Sequence, residues 1–89
     1  MTNSPWLLTM KPSFLTEWSA LPAKEAHQIQ KKLQLLVEDP NPDGHTRKKL
    51  KHMGGRLHRL RSGDYRVFYV FDSPYVSLLK LDKRDEQTY

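Results

Sequence analysis

The sequence predicts an α+β fold in which two helices pack on one face of a four-stranded, mainly antiparallel sheet, in the order β-α-α-β-β-β. Apolar residues recur at helical spacing between residues 13 and 38, and a hairpin pattern occupies residues 57–72. A second turn then precedes an apolar run at residues 75–81. Strands joined by tight turns pair antiparallel, so the last three form a meander and the first strand pairs alongside, beyond the helices.

Two helices are predicted in the first half of the chain, after a short apolar strand at residues 5–10. Pro12 suits the first turn of the first helix, over residues 13–21, because proline has no N–H to donate. Pro22 ends that helix and begins the second, over residues 23–38. The residues expected to face the sheet follow helical spacing: Phe14, Leu15, Trp18, Leu21, Ala26, Ile29, Leu33, Leu36 and Val37.

The hairpin at residues 57–72 turns at Ser62-Gly63-Asp64, a combination that favours a tight turn between strands. Side chains alternate between the faces of a strand, so Arg59 and Arg61 share one face. Across the turn, Arg66 points away from a densely apolar row formed by Val67, Tyr69 and Phe71. The pattern predicts a sheet with one face on a core and a basic face left open.

The net charge of +5 is concentrated in the middle of this 89-residue chain, which we expect to form a single domain. Residues 44–66 hold eight Lys or Arg against one Asp or Glu, whereas both flanking segments are slightly acidic. Such a patch attracts polyanions, and RNA, DNA or an acidic protein are the candidates. The alternative is a solubilising surface, which is also the expectation for Lys31 and Lys32, off the apolar stripe of the second helix.

Several kinds of site are excluded by composition and spacing. The chain has no cysteine, which rules out disulfides and thiolate metal sites and predicts a cytoplasmic location. No apolar run approaches the about 20 residues of a membrane helix, and the start lacks a signal-peptide pattern. The four histidines lack metal-site spacing, and His58 is expected to be structural. Carboxylates near the end, Asp82, Asp85 and Glu86, are expected to pair with Lys83 and Arg84.

After these exclusions, arginine is the residue type best suited to act on an anionic substrate. Guanidinium groups bind phosphate in bidentate fashion and stay charged, so a cluster of them can stabilise the five-coordinate state of a phosphodiester under attack. RNA carries its own nucleophile, the 2′-hydroxyl, whereas DNA has none. If the open face is catalytic, the sequence therefore predicts RNA as its substrate, without a metal or cofactor.

Several stretches of the sequence resemble the RelE/ParE toxin superfamily, and the likeness covers nearly the whole chain. They are Lys49-Leu50-Lys51, the run Arg59-Leu60-Arg61-Ser62-Gly63-Asp64-Tyr65-Arg66-Val67-Phe68-Tyr69, and the tail Leu81-Asp82-Lys83-Arg84-Asp85-Glu86 with Tyr89. The resemblance implies a RelE-like fold in a bacterial toxin. RelE-like members cut mRNA on the ribosome without metal, ParE-like members inhibit DNA gyrase, and other relatives are inactive. The short helices favour the RelE branch.

The resemblance also implies roles for individual residues. Arg66 matches an arginine that contacts the scissile phosphate, and Arg59 falls at the position of a catalytic lysine. Arg84 matches the arginine of the C-terminal motif, and Tyr89 is matched to a tyrosine that stacks on or deprotonates the substrate. The expected RNA-binding set comprises Arg47, Lys48, Lys49, Lys51, Arg56, Arg61 and Lys83. The expected partners are mRNA, the ribosome and a cognate antitoxin protein.

Two departures from the family pattern keep alternatives open. Leu57 stands where RelE has a second lysine used in catalysis, and Tyr89 is the last residue, at a spacing that differs from the family's. On the first alternative, the chain is a catalytically degenerate RelE-like domain that binds nucleic acid, cut from a larger protein such as a helicase. A ParE-like gyrase inhibitor is a further alternative. For Arg66 itself, the alternative role is an ion pair with Asp64 or Asp85.

Overall fold

A computed structural model describes residues 6–51 and 53–83, apart from the side chain of Met53. The elements, in chain order, are β1 (Leu7–Met10), α1 (Pro12–Ser19), α2 (Ala23–Glu38), β2 (Arg47–Lys49), a short 3-10 turn (Met53–Gly55), β3 (His58–Ser62), β4 (Tyr65–Asp72) and β5 (Tyr75–Lys83). The sheet has the order β1-β5-β4-β3-β2. β1 is parallel to β5, and every other neighbouring pair is antiparallel.

The predicted α+β fold is confirmed, with one strand more than expected. Three basic residues, Arg47–Lys49, form β2 and pair antiparallel with β3, which makes the sheet five-stranded. The sequence gives little indication of this strand, because it has no apolar alternation and follows a segment rich in Pro, Asp and Gly. Its pairing with β3 is a tertiary contact, with Lys48 directly opposite Arg59.

The core lies between the two helices and one face of the sheet. Phe14 from α1 and Leu36 from α2 are fully buried, and Phe14 stacks against Trp18 at a ring distance of 5.9 Å. The sheet contributes alternate residues, as period-two burial requires. The buried apolar residues are Phe14, Ile29, Leu33, Leu36, Leu60, Val67, Tyr69, Val76, Leu78 and Leu81.

A β-bulge in β5 is held by hydrogen bonds with side chains of α1. The register between β4 and β5 shifts at Phe68/Tyr69, so one β5 residue is left out of the pairing. Next to this bulge the Ser13 hydroxyl donates to the Leu79 carbonyl at 2.6 Å, and the Leu81 amide donates to the Glu17 carboxylate at 2.8 Å. The polar side chains of α1 thus satisfy backbone groups that the irregular ladder leaves free.

The loop between α2 and β2 is held by hydrogen bonds from the core residue Tyr69 and to its own residue Asp43. The buried Tyr69 hydroxyl donates to the Pro40 carbonyl at 2.8 Å, and burial raises the pKa of this phenol. Asp43 accepts backbone N–H bonds from Arg47 and His45, which lower the pKa of its carboxyl far below the usual range. These bonds hold the loop in place next to β2.

Candidate nucleic-acid interface

The face of the sheet opposite the helices carries a row of arginines. Alternation along β3 and β4 buries Leu60 and Val67 and turns Arg59, Arg61 and Arg66 to this open face. Arg61 is directly opposite Arg66 in the β3–β4 register. Like charges opposite each other destabilise a sheet, so this pairing favours an anion close to the two guanidinium groups.

The Arg66 guanidinium is held by two neighbours. Its Nε donates to Asp82 Oδ1 at 3.1 Å and its Nη2 donates to Oδ2 at 3.3 Å. The guanidinium carbon lies 5.6 Å from the ring centroid of Phe68, which fits a cation–π contact. Arg66 therefore forms the anticipated kind of ion pair, but with Asp82 rather than Asp64, while Asp85 lies outside the described residues. Asp82, expected to pair with its neighbours in the tail, bonds across the sheet instead.

Beside this row lies an open, basic pocket of about 500 Å³ at the β2–β3 side of the sheet. None of the described residues that line it is acidic, and four are cationic. Arg59 is anchored at the rim, where its Nη2 donates to the His45 carbonyl at 3.2 Å. Such a pocket suits an anion with several oxygens. The lining residues are Lys32, Gly44, His45, Thr46, Lys48, Arg59, Arg61 and Gly63.

Comparisons with known proteins bear on the fold. No protein-family model and no curated protein matches the sequence. Among solved structures, the isolated Escherichia coli RelE toxin superposes with a TM-score of 0.81 at 22% identity, over 93% of this chain and 88% of that chain. The intact E. coli RelBE complex gives 0.75 at 27% identity, covering 91% and 99%. The archaeal RelE–RelB complex from Pyrococcus horikoshii OT3 gives 0.76 at 24% identity, covering 92% and 98%.

The chain has the RelE-like fold. The resemblance predicted from the sequence is confirmed at that level. The similar structures include toxins solved together with their RelB antitoxins.

The remaining predicted RNA-binding residues of this RelE-like chain lie in different places. Arg47 points toward the helix side, where it pairs with Asp43 at 3.2 Å and donates to the Asp39 carbonyl. Lys49 is opposite the buried His58, with its side chain close to Gly55. Lys51, Arg56 and Lys83 are exposed. Lys48 and Arg61 line the basic pocket, and the predicted catalytic residues Arg84 and Tyr89 lie outside the described residues.

Two pocket residues were not anticipated from the sequence. Lys32 belongs to the polar side of α2, and the helical pattern alone predicts a solvated surface for it. His45 lies in a loop with no recognisable motif. His45 reaches the pocket from the loop and Lys32 reaches it from α2, and both positions are set by tertiary packing without a local sequence signal.

A second open pocket, of about 640 Å³, lies at the other end of the same face. It is lined by Thr9, Arg56, Val70, Phe71, Asp72, Ser73, Tyr75 and Ser77, with Tyr75 about half exposed. Arg56 and Asp72 are the charged residues among these, so their formal charges cancel. This end of the RelE-like sheet lacks the cationic character of the β2–β3 side.

Within residues 6–51 and 53–83, no three His, Asp or Glu side chains form a group suited to a metal ion. The expectation of metal-free chemistry stays a prediction. Neither described helix of the RelE-like fold has the length and apolar character needed to cross a membrane.

Proposed function

We propose that this chain is a RelE-like toxin that cleaves mRNA on the ribosome, without a metal, through the RNA 2′-hydroxyl. The observation that carries the proposal is the placement of Arg59, Arg61 and Arg66 side by side on the open face, next to the basic pocket. The fold shared with RelE toxins supports it. The site of action would be the cytoplasm, where ribosomes are.

In the proposed reaction, the 2′-oxygen attacks the adjacent phosphorus, so that an O2′–P bond forms and the P–O5′ bond breaks. Negative charge builds on the phosphoryl oxygens as phosphorus becomes five-coordinate. Arg66 and Arg59 stabilise that charge, because guanidinium groups fixed before the reaction need little reorganisation. They also hold the 2′-hydroxyl and the phosphate in the geometry for attack.

Proton transfer needs a different group, because a guanidinium does not give up its proton at ordinary pH. The 2′-hydroxyl must lose a proton and the departing 5′-oxygen must gain one. Tyr89 remains our candidate from the resemblance, whereas Arg84 can add only to the stabilisation of negative charge. His45 is a further candidate, since it lines the basic pocket and histidine is the side chain that most often serves as a general acid or base.

In this proposal, the cations of the basic pocket and the arginine row bind the RNA backbone on either side of the scissile bond. Neighbouring strands are about 4.8 Å apart, so an RNA strand that crosses the sheet passes from Arg66 on β4 to Arg61 on β3 and then to Lys48 on β2. Lys32 approaches from α2 on the far rim. These cations would hold the phosphates that flank the scissile bond, and such contacts position the chain without reading its sequence.

An antitoxin is the second proposed partner. The RelE toxins of E. coli and P. horikoshii were solved with RelB. The cationic sheet face opposite the helices is complementary to an acidic segment of such a protein, which would block access of RNA to the arginines. Co-expression of a candidate antitoxin should therefore relieve growth arrest and make the arginine row inaccessible.

The direct test is Arg66→Ala in an in vitro translation assay with purified ribosomes. We expect cleavage of ribosome-bound mRNA to fall by about 10²–10³-fold, because one preorganised donor to the developing charge is removed. Lys31→Ala is the matched control, since Lys31 is an exposed cation on α2 outside the site. Undiminished cleavage by Arg66→Ala would remove the basis of the proposal.

The second candidate function is RNA binding without cleavage. It is favoured by Leu57, at a position where the family has a catalytic lysine, and by the neutralisation of Arg66 by Asp82. In that case the wild-type protein leaves ribosome-bound mRNA intact but binds single-stranded RNA with an affinity that falls steeply with salt. The same purified protein serves for both measurements.

A further inference from the structure

The carboxylate of Asp82 reaches the open face because of the bulge in β5. Leu78 is fully buried before the bulge, and unbroken alternation from there would turn Asp82 into the core. The register shift at Phe68/Tyr69 resets the alternation, so that Leu81 is buried and Asp82 lies directly opposite Arg66. The bulge thus places a carboxylate on the open face of the sheet, next to its arginine row.

The ion pair engages a defined part of the guanidinium. Asp82 accepts from Nε and from Nη2, which together form one side of the fork. The Nη1 group and the outer N–H of Nη2 form the end of the fork and point away from the carboxylate. In the described part of the chain, Asp82 is the one hydrogen-bond acceptor found for Arg66, and the two side chains are about a third exposed, at 33% and 30%.

The geometry points to Asp82 as a positioning residue that fixes Arg66 with the end of its guanidinium fork free for an RNA phosphate. The inference rests on the proposed function. Arginine has several rotatable bonds, and a carboxylate at one side together with the Phe68 ring restricts them. A phosphate can still bind in bidentate fashion at the other end. The opposite role, a carboxylate that competes with phosphate, predicts a gain of activity when Asp82 is removed.

The experiment compares Asp82→Ala and Asp82→Asn in the ribosome-dependent cleavage assay. We expect Asp82→Ala to lower kcat by roughly 10- to 100-fold, in line with the effect of small misplacements, while KM is not raised, since a repelling charge is lost. Asp82→Asn keeps an acceptor oxygen and should retain more activity. Asp72→Ala is the matched control, because it removes the same charge from an exposed end of β4.

A second measurement is independent of cleavage and shows whether the variants are folded. In ¹H–¹⁵N NMR spectra of the full chain, the Nε–H of Arg66 should exchange slowly in the wild type and in Asp82→Asn, and rapidly in Asp82→Ala. A short single-stranded DNA oligonucleotide, which lacks the 2′-hydroxyl, should shift the Arg66 Nη signals more in the wild type than in Asp82→Ala.

The outcomes separate the two proposals. If the wild type does not cleave mRNA, the proposed function fails, and the oligonucleotide titration alone decides the role of Asp82. Asp82→Ala that cleaves as fast as the wild type or faster would overturn the positioning role, and so would a rapidly exchanging Nε–H in the wild type. A lower kcat with an unchanged or lower KM, partly rescued by Asp82→Asn, supports it.

Discussion

The two faces of the sheet differ in what their side chains do for the fold. On the helix-covered face, Leu60, Val67 and Tyr69 are fully buried. On the open face of the same strands, cations stand opposite each other: Arg61 opposite Arg66, whose charge Asp82 offsets, and Lys48 opposite Arg59. Because alternate residues of the same strand serve the two faces, stability and anion binding can be changed separately.

The largest expected effect lies on the covered face. Phe14→Ala should lower the free energy of unfolding by about 3–5 kcal/mol, since it removes a fully buried ring and leaves a cavity beside Trp18. Leu15→Ala is the control on the same helix, because Leu15 is 47% exposed, and we expect a change within about 0.5 kcal/mol. Urea denaturation followed by tryptophan fluorescence measures both.

This pair of variants also tests the independence of the two faces. Under conditions where Phe14→Ala is still folded, its affinity for single-stranded RNA should match that of the wild type. A loss of RNA binding in the folded Phe14→Ala protein would show that the core determines the geometry of the arginine row.

Local patterns in the sequence were sufficient to predict the distribution of side chains between the faces. The alternation in β3 and β4 predicted that Arg59, Arg61 and Arg66 lie together, and the apolar spacing predicted both helices. Such periodicity is set by the backbone geometry of each element, so a sequence can show it directly. The resemblance to RelE was equally readable from the hairpin.

Features that depend on pairing between distant segments were not predictable in the same way. The basic strand β2 has no apolar pattern, and the β5 bulge has no local sequence signal, so the sequence alone predicts that Asp82 pairs within the tail rather than with Arg66. Lys32 enters the pocket from a helix surface that resembles any solvated surface. In each case the position is set by tertiary contacts.

A smaller effect is expected on the open face. Removal of one phosphate contact from single-stranded RNA should reduce the slope of log K against log salt concentration by about 0.7. We expect this for Lys32→Ala and for Lys48→Ala, with thermal stability unchanged. Lys31→Ala serves as the control, because Lys31 is exposed on the same helix as Lys32 but does not line the pocket. Equal slopes for Lys31→Ala and Lys32→Ala would remove Lys32 from the interface.

The smallest effect concerns pH and belongs to the covered face. His58 is buried between Tyr69 and Phe71, with ring distances of 5.4 and 4.9 Å. Burial lowers the pKa of its imidazole, and the positive charge of Lys49 adds to this, while the Arg56 carbonyl opposes it. The unfolded chain therefore binds a proton more readily than the folded one as the pH falls below about 6.5.

The sign of the effect follows from that difference. Stability contributed by neutral His58 is complete above the unfolded pKa of about 6.5 and is lost as the pH falls toward the lower pKa of the folded state. We expect the wild type to lose stability in this window and His58→Gln to show a flatter profile, whereas His27→Gln, at an exposed position, follows the wild type. The loss from Asp43 falls in a separate window, below about pH 3.8, because its carboxyl has a lowered pKa. Thermal unfolding at a series of pH values measures this, and identical wild-type and His58→Gln profiles would contradict a neutral, buried imidazole beneath the open face.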